Sequence, residues 1–118
     1  RHWRHCWVAA GWLPVLGSSA AKRTVIEWRD AFPANRLWWG AACNHAEGIY
    51  GATEFHRQCV SEALAEKVLN GDISEQTARH IARQIFRDNA LELFPQLKDR
   101  LWKHRGIKLE PKAAATGQ

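Results

Sequence analysis

Two short apolar runs separated by a helical segment constrain the fold of this chain more than any other feature. They are CWVAA, residues 6–10, and LWWGAA, residues 37–42. Their composition is typical of strands buried on both faces, as in parallel sheets. Because two such strands do not form a stable sheet alone, the pattern predicts an α/β chain whose sheet is completed by strands from sequence outside it.

Helical patterns fill most of the remaining sequence. Between the two runs, apolar residues spaced four, three and four apart predict a helix that ends at Pro33. Ser18 or Ser19 is expected to cap its N-terminus with a side-chain oxygen. The apolar stripe of this helix consists of Ala21, Val25, Trp28 and Phe32.

Three more helices are predicted after the second run, over residues 47–70, 75–94 and 95–105. Gly71 supplies the left-handed residue that ends the first of them, and Ser74 is expected to cap the second. The predicted buried stripes are Ile49, Ala52, Cys59, Ala63, Leu64 and Val68, then Ala78, Ile81, Ala82, Ile85, Ala90 and Leu93, with Leu97 and Leu101 facing inward on the last helix.

The composition excludes several classes of protein. With 46% apolar and 25% charged residues, the chain is not a low-complexity or disordered one. No apolar run approaches the ~20 residues that span a bilayer, so no membrane partner is expected. Three widely spaced Cys without a CxxC pair favour a reduced, cytoplasmic setting over a disulfide scaffold or zinc knuckle.

The loop after the second run, CNHAEG, holds the densest cluster of chemically able side chains. Cys43, His45 and Glu47 could together form a metal or substrate site. Alternatively, Asn44 or Glu47 only caps the next helix. The N–H groups at that helix start also suit a substrate carboxylate or phosphate.

A second pair with metal-binding chemistry lies on the long helix. His56 and Cys59 are three residues apart, which permits a zinc pairing. Small residues on a helix face are more often core, so we favour a buried face here.

The net charge of +5 permits a nucleic-acid partner without indicating one. Arg79, Arg83 and Arg87 recur every four residues and form a basic stripe that could follow phosphates. Because no aromatic residue is interleaved, we favour a solvated face paired with Glu75 and Asp88.

Four segments carry a family resemblance: GWLPVLGSSAA, EWRDAFPANRLWWG, NHAEGIYGA and ISEQTARHIARQIFRDNALELF. In this order and spacing, the chain from about Trp7 to Phe94 resembles the C-terminal quarter of the amidohydrolase-related, metal-dependent hydrolases, the group that includes uronate-isomerase-like proteins. The resemblance implies a (β/α)8 TIM barrel. Residues 1–106 would be a fragment with its last two βα units and terminal helices, and residues 107–118 a flexible tail.

In such barrels the active site lies at the C-terminal ends of the strands. The resemblance therefore places residues 10–11 and 42–47 at the catalytic mouth. It also implies a divalent metal, with zinc as the first candidate, held by His residues on earlier strands and an Asp that ends the last strand. Ala42 stands at that Asp position, so no metal ligand is expected in this chain. The candidate residues are Asn44, His45 and Glu47 for catalysis, and Cys43 and Tyr50 for substrate binding.

These expectations combine into one function. The chain would be a segment of a metal-dependent hydrolase that acts on a small polar or carboxylate-bearing substrate, and it would be inactive by itself. Its partners would be the substrate and the remaining barrel strands, with self-association through exposed apolar faces. Two alternatives stay open: a small basic helical module that binds nucleic acid or protein, and a catalytically silent barrel relative.

Overall fold

A computed structural model of the chain describes residues 5–105, so the expected flexible tail at 107–118 lies outside the described residues. The fold is mostly helical, with one two-stranded sheet. Its elements are β1 (Val8–Ala9), a 3-10 turn (Leu13–Leu16), α1 (Ser18–Ala31), a 3-10 turn (Ala34–Arg36), β2 (Leu37–Trp38), α2 (Ala46–Leu69), α3 (Glu75–Arg83), a π-helical turn (Gln84–Asp88), α4 (Asn89–Leu93) and α5 (Gln96–Arg105).

The two strands pair in parallel, as predicted, with α1 as the connection between them. Val8 lies opposite Leu37 and Ala9 opposite Trp38. Both strands are shorter than the apolar runs that contain them, and the prediction that both are buried on each face is wrong. Within residues 5–105, Ala9 is exposed and Trp38 is only half-buried.

The outer edge of β2 is closed by a helix instead of a strand. The backbone N–H of Trp39 donates to the carbonyl oxygen of Ile85 at 3.0 Å. The side-chain amide of Asn89 donates to the carbonyl oxygens of Leu37 at 2.6 Å and Ala34 at 2.7 Å. Ile85 lies in the π-helical turn, where the wider helix spacing makes a carbonyl available to an outside donor.

The π-helical turn also changes which face of the following helix, α4, is buried, and the predicted face is wrong there. Ala90 and Leu93 are only half-buried, whereas Asn89 and Leu91 are buried. A π turn holds one more residue than an α turn, so it rotates the later residues around the helix axis. The buried residues therefore match the predicted stripe up to Ile85. After Ile85, Asn89 and Leu91 are buried in place of Ala90 and Leu93.

Helix α1 starts without the predicted serine cap. The residue before the helix is Gly17, at φ +80°, and no side chain caps the first turn. A residue with a Cβ is strained at that φ, so Gly occupies the cap position. Ser18 and Ser19 instead lie within the first turn.

The core forms where α1 and α2 pack on the strand ends and on α3. Two ion pairs span the α1–α2 contact: Lys22 with Glu66 at 2.8 Å and Lys67 with Asp30 at 2.7 Å. The predicted burial of Ile49 is wrong, because α2 packs against the core from Phe55 onward and Ile49 lies exposed before that point. The buried apolar core consists of Ala10, Leu13, Ala21, Val25, Leu37, Cys59, Val60, Ala63, Leu64, Ala78, Ile81 and Ile85.

The local signals between α2 and α3 are confirmed. Gly71 adopts φ +79° directly after the end of α2. The Ser74 hydroxyl then accepts a hydrogen bond from the Thr77 N–H at 3.1 Å and caps α3. This short connection packs α3 beside α2. The π-helical turn and α4 that follow α3 then reach the edge of β2.

Candidate functional site at the strand ends

The segments that follow β1 and β2 touch each other. A Cβ built on Gly11 would lie 3.5 Å from the Gly40 carbonyl oxygen and 3.6 Å from the Ala42 nitrogen. Ala10, just before Gly11, donates its N–H to the Trp38 carbonyl oxygen at 3.0 Å. Residues 10–11 and 40–42 therefore meet at the C-terminal edge of the sheet.

The first turn of α2 begins beside this edge, and His45 caps it. The Nδ1 atom of His45 accepts a hydrogen bond from the Gly48 N–H at 3.1 Å, and the His45 backbone is extended, as a cap residue requires. Neither Asn44 nor Glu47 has the capping role that the sequence suggested. His is not among the preferred N-cap residues, so the capping pattern gave no signal for it.

The hydrogen bond from the Gly48 N–H limits the chemistry available to the His45 ring. A ring nitrogen that accepts from a backbone N–H carries no proton, so the neutral ring has its proton on Nε2. Both nitrogens are then committed, one as acceptor and one as donor. While the cap is intact, His45 has no free lone pair with which to act as a general base.

Cys43 and His45 are the two candidate residues that the structure brings together. A Cβ built on Gly48 would lie 2.8 Å from the His45 ring and 2.9 Å from the Cys43 Cβ, so both side chains pack over this glycine. Cys43 is half-buried and His45 exposed. The remaining candidates, Asn44, Glu47 and Tyr50, are exposed, and their side chains make no hydrogen bond or ion pair within residues 5–105.

The residues at this edge do not fit a divalent metal. Ala42 is exposed and has no donor atom on its side chain. The part of the chain that the structure describes contains no group of three His, Cys, Asp or Glu side chains arranged to hold a metal ion. Cys43, His45 and Glu47 are thus not gathered around a common point.

His56 and Cys59 do not form the zinc pair that their spacing permits. The His56 ring lies between the Ala10 and Ala52 carbonyl oxygens, 2.7 Å from each. The Cys59 thiol is directed toward the Ser18 carbonyl oxygen at 3.9 Å. Burial, with a smaller contribution from Glu62, raises the pKa of Cys59. Both side chains belong to the core, as we favoured from the sequence, but the role of His56 in joining β1 to α2 was not foreseen.

The arginine stripe, which runs from α3 into the π-helical turn, is paired with the two acids named from the sequence. Arg79 contacts Glu75 at 2.6 Å, and Asp88 receives both Arg83 and Arg87 at 3.3 Å. Exposed pairs of this kind contribute little to stability. They do reduce the positive charge that the stripe presents to a phosphate backbone.

A groove of about 370 Å³ lies between α1 and α2. Its walls carry charges of both signs, and the Lys22 and Glu66 that line it are already paired with each other. The hydrogen bond from Lys22 to Glu66 raises the pKa of Lys22. None of the five candidate residues lines this groove.

Comparison of the chain with protein-family models, with curated proteins and with solved structures gives no match. The chain is mostly helical, with one short pair of parallel strands. Within the described residues, no helix combines the length and apolar character that crossing a membrane requires.

Proposed function

We propose that the chain is the C-terminal segment of an amidohydrolase-like (β/α)8 barrel and contributes to the binding of a small polar or carboxylate-bearing substrate. The observation that carries the proposal is the contact between the segments after the two parallel strands, Gly11 against Gly40 and Ala42. In a βα barrel, this edge of the sheet is where loops from neighbouring strands form the site.

The chemistry at this edge supports binding rather than bond cleavage. The N-terminus of α2, a helix of 24 residues, lies here with its free N–H groups. Such a terminus carries partial positive charge and suits a carboxylate. Half-buried Cys43 and exposed Tyr50 flank it. His45 is committed to its cap and Ala42 offers no ligand, so this segment would bind substrate and leave the reaction to residues elsewhere.

Two experiments test this proposal. The reading frame that encodes the chain should continue upstream into a barrel with an HxH strand and further His-bearing strands. A start codon immediately upstream of residue 1 would overturn the barrel assignment. Titration of the chain with a small dicarboxylate such as succinate, followed by NMR, should shift the amides of Ala46 and Glu47, with the exposed Gly51 amide as the reference.

A catalytically silent barrel relative is the second candidate, and Ala42 and the His45 cap both favour it. The full-length parent with Ala42→Asp separates the two. If the site is otherwise intact, mass spectrometry should detect more bound metal in the variant than in the parent. No gain in metal would count against the position assigned to Ala42 and leave the silent relative as the better account.

A binding module that uses the arginine stripe receives less support. Arg79, Arg83 and Arg87 are each paired with an acid. If this module were the function, binding of the chain to a DNA duplex would weaken steeply with added salt and would be lost in Arg79→Gln and Arg83→Gln.

A further inference from the structure

Asn70 and Gly71 form an exposed Asn-Gly pair where α2 ends and the connection to α3 begins. Asn is among the chemically labile residues, because its side-chain carbonyl can react with the main-chain nitrogen of the next residue. Gly hinders that reaction least, since it has no side chain. The pair therefore has the composition of a site at which an Asn side chain loses its amide group.

The reaction begins when the main-chain nitrogen of Gly71 attacks Cγ of Asn70. A bond forms between this nitrogen and Cγ, the bond from Cγ to Nδ2 breaks, and the proton of the Gly71 N–H leaves with Nδ2 as ammonia. The product is a five-membered cyclic imide. Water then adds to one of the two imide carbonyls, the bond from that carbon to the ring nitrogen breaks, and the nitrogen takes a proton from the water. Opening at Cγ gives aspartate, and opening at the main-chain carbon gives isoaspartate.

The fold keeps the reacting atoms apart. Ring closure requires the Gly71 nitrogen to come close to eclipsing Cβ of Asn70 about the Cα–C bond. At the observed ψ of −7°, it instead eclipses the main-chain nitrogen of Asn70. The Gly71 N–H also donates to the Val68 carbonyl oxygen at 3.0 Å. Attack therefore needs a rotation of Asn70 and the loss of this hydrogen bond.

Flanking hydrogen bonds oppose that rotation. The N–H groups of Asn70 and Asp72 each donate, at 2.9 Å, to a carbonyl oxygen in the last two turns of α2. Together with the φ of +79° at Gly71, these bonds form the Schellman motif that ends the helix. On the other side of the turn, the Ser74 hydroxyl caps α3. The connection is thus held at both of its ends.

We propose that Asn70 is a site of spontaneous conversion to aspartate and isoaspartate, and that the Schellman motif at the end of α2 sets the rate. While the turn is closed, the reaction is slow. Each local opening of the turn frees the Gly71 nitrogen and lets Asn70 rotate. The site stands on the contacts at the end of α2 and does not depend on the proposed substrate.

The product weakens the turn that slows its formation. A carboxylate at residue 70 lies at the C-terminal end of α2, where the helix dipole disfavours negative charge. The nearby Lys67 is already shared by Asp30 and Asp72. Isoaspartate also adds one atom to the main chain before Gly71, which takes the Gly71 and Asp72 N–H groups out of register with their acceptors. Converted chains should therefore open more readily between α2 and α3.

Peptide mapping of the full chain by mass spectrometry tests the site. The chain is incubated at pH 8 with and without guanidinium chloride and then cleaved with trypsin, which releases residues 68–79. This peptide should gain the mass of an amide-to-acid conversion at Asn70, at least about tenfold more slowly in the folded chain than in denaturant. Asn44, which is exposed but followed by His45, should convert far more slowly than Asn70 in denaturant. Equal rates at Asn70 in both conditions, or equal rates at Asn70 and Asn44 in denaturant, overturn the proposal.

Two serine variants separate the turn from the intrinsic chemistry. Ser74→Ala removes the cap of α3 next to the turn, so Asn70 should convert about threefold faster or more in the folded chain and at an unchanged rate in denaturant. Ser61→Ala, at an exposed position within α2, is the matched control and should leave both rates unchanged. An unchanged folded rate in Ser74→Ala would mean that the turn does not set the rate. Should that variant not fold, the comparison of folded and denatured unmodified chain still decides.

Discussion

The side-chain amide of Asn89 donates to the carbonyl oxygen of Leu37 at 2.6 Å, so a helix occupies the position beside β2 that a further strand would take. A side-chain donor here satisfies a strand carbonyl that otherwise has no partner on this edge. Within residues 5–105 the outer edge of β2 is therefore covered by a helix, and the outer edge of β1 has no neighbouring strand. In the proposed barrel, Asn89 and Ile85 would have to leave this edge of β2 so that another strand could pair with it. Asn89 thus determines which side of the sheet stays available.

Replacement of Asn89 should destabilise the chain strongly. Asn89 is 1% exposed and donates to two carbonyl oxygens. Asn89→Ala leaves both without this donor and opens a small cavity, and the expected cost is about 2–4 kcal/mol in the free energy of unfolding. Urea unfolding measures it. The exposed Asn70→Ala is the control and should stay within about 0.5 kcal/mol of the unmodified chain. A similar small change for Asn89→Ala would contradict the anchoring role.

Local sequence signals located most of the helices. Pro33, Gly71 and Ser74 act through their own backbone preferences or through neighbours a few residues away, so their effects are visible in the sequence. The parallel pairing followed from the alternation of strand and helix, which is likewise a pattern of the chain itself.

The features that were missed depend on residues far apart in sequence. The π-helical turn exists where Ile85 meets Trp39 and Asn89 meets Leu37, more than 40 residues away. The burial of His56 requires Ala10, which lies 46 residues earlier. The periodicity of apolar residues predicts which face of a helix is buried. It does not predict that Asn89 takes the place of a neighbouring strand beside β2, or that His56 joins the end of β1 to α2.

Two glycines in α2 provide a matched pair of substitutions. A Cβ on Gly51 would meet nothing within 4 Å, so Gly51→Ala should stabilise the helix by about 0.5–1 kcal/mol. A Cβ on Gly48 would lie 2.8 Å from the His45 ring and 2.9 Å from the Cys43 Cβ. Gly48→Ala should displace the cap, which costs about 0.5–2 kcal/mol and cancels or outweighs the gain in helix propensity.

Thermal or urea unfolding of both glycine variants, in parallel, tests this difference. A further comparison uses the His45→Ala background, in which the cap is already absent. There Gly48→Ala should be less harmful than in the unmodified chain, because one of its two clashes has been removed. Equal stabilisation by Gly48→Ala and Gly51→Ala would mean that the His45 cap contributes nothing.

The ion pair of Lys67 should matter more than that of Arg79. The Lys67 side chain is 11% exposed and contacts Asp30 at 2.7 Å and Asp72 at 3.7 Å, so it ties α1 to the end of α2. Lys67→Met keeps the aliphatic length but removes the charge, and we expect a loss of about 1–3 kcal/mol. Arg79→Met breaks the exposed contact with Glu75 and should cost at most about 0.5 kcal/mol. Chemical denaturation by urea, which leaves ionic strength unchanged, compares the two, and equal losses would contradict the ranking.

Cys59 should make the chain less stable at alkaline pH. Burial raises the pKa of its thiol above the unfolded value, so the folded state holds this proton more tightly than the unfolded chain does. The contribution is fully present below the unfolded thiol pKa of about 8.5 and is lost as the pH rises through the folded value. Urea midpoints measured from pH 7 to pH 10 should therefore fall at the upper end, and Cys59→Ala should fall less steeply. Cys43→Ala, which removes the half-buried thiol at the start of α2, should retain the decline. If Cys59→Ala and the unmodified chain lose stability equally, the decline belongs to other groups, and the Cys59 thiol is not held protonated by its burial against α1.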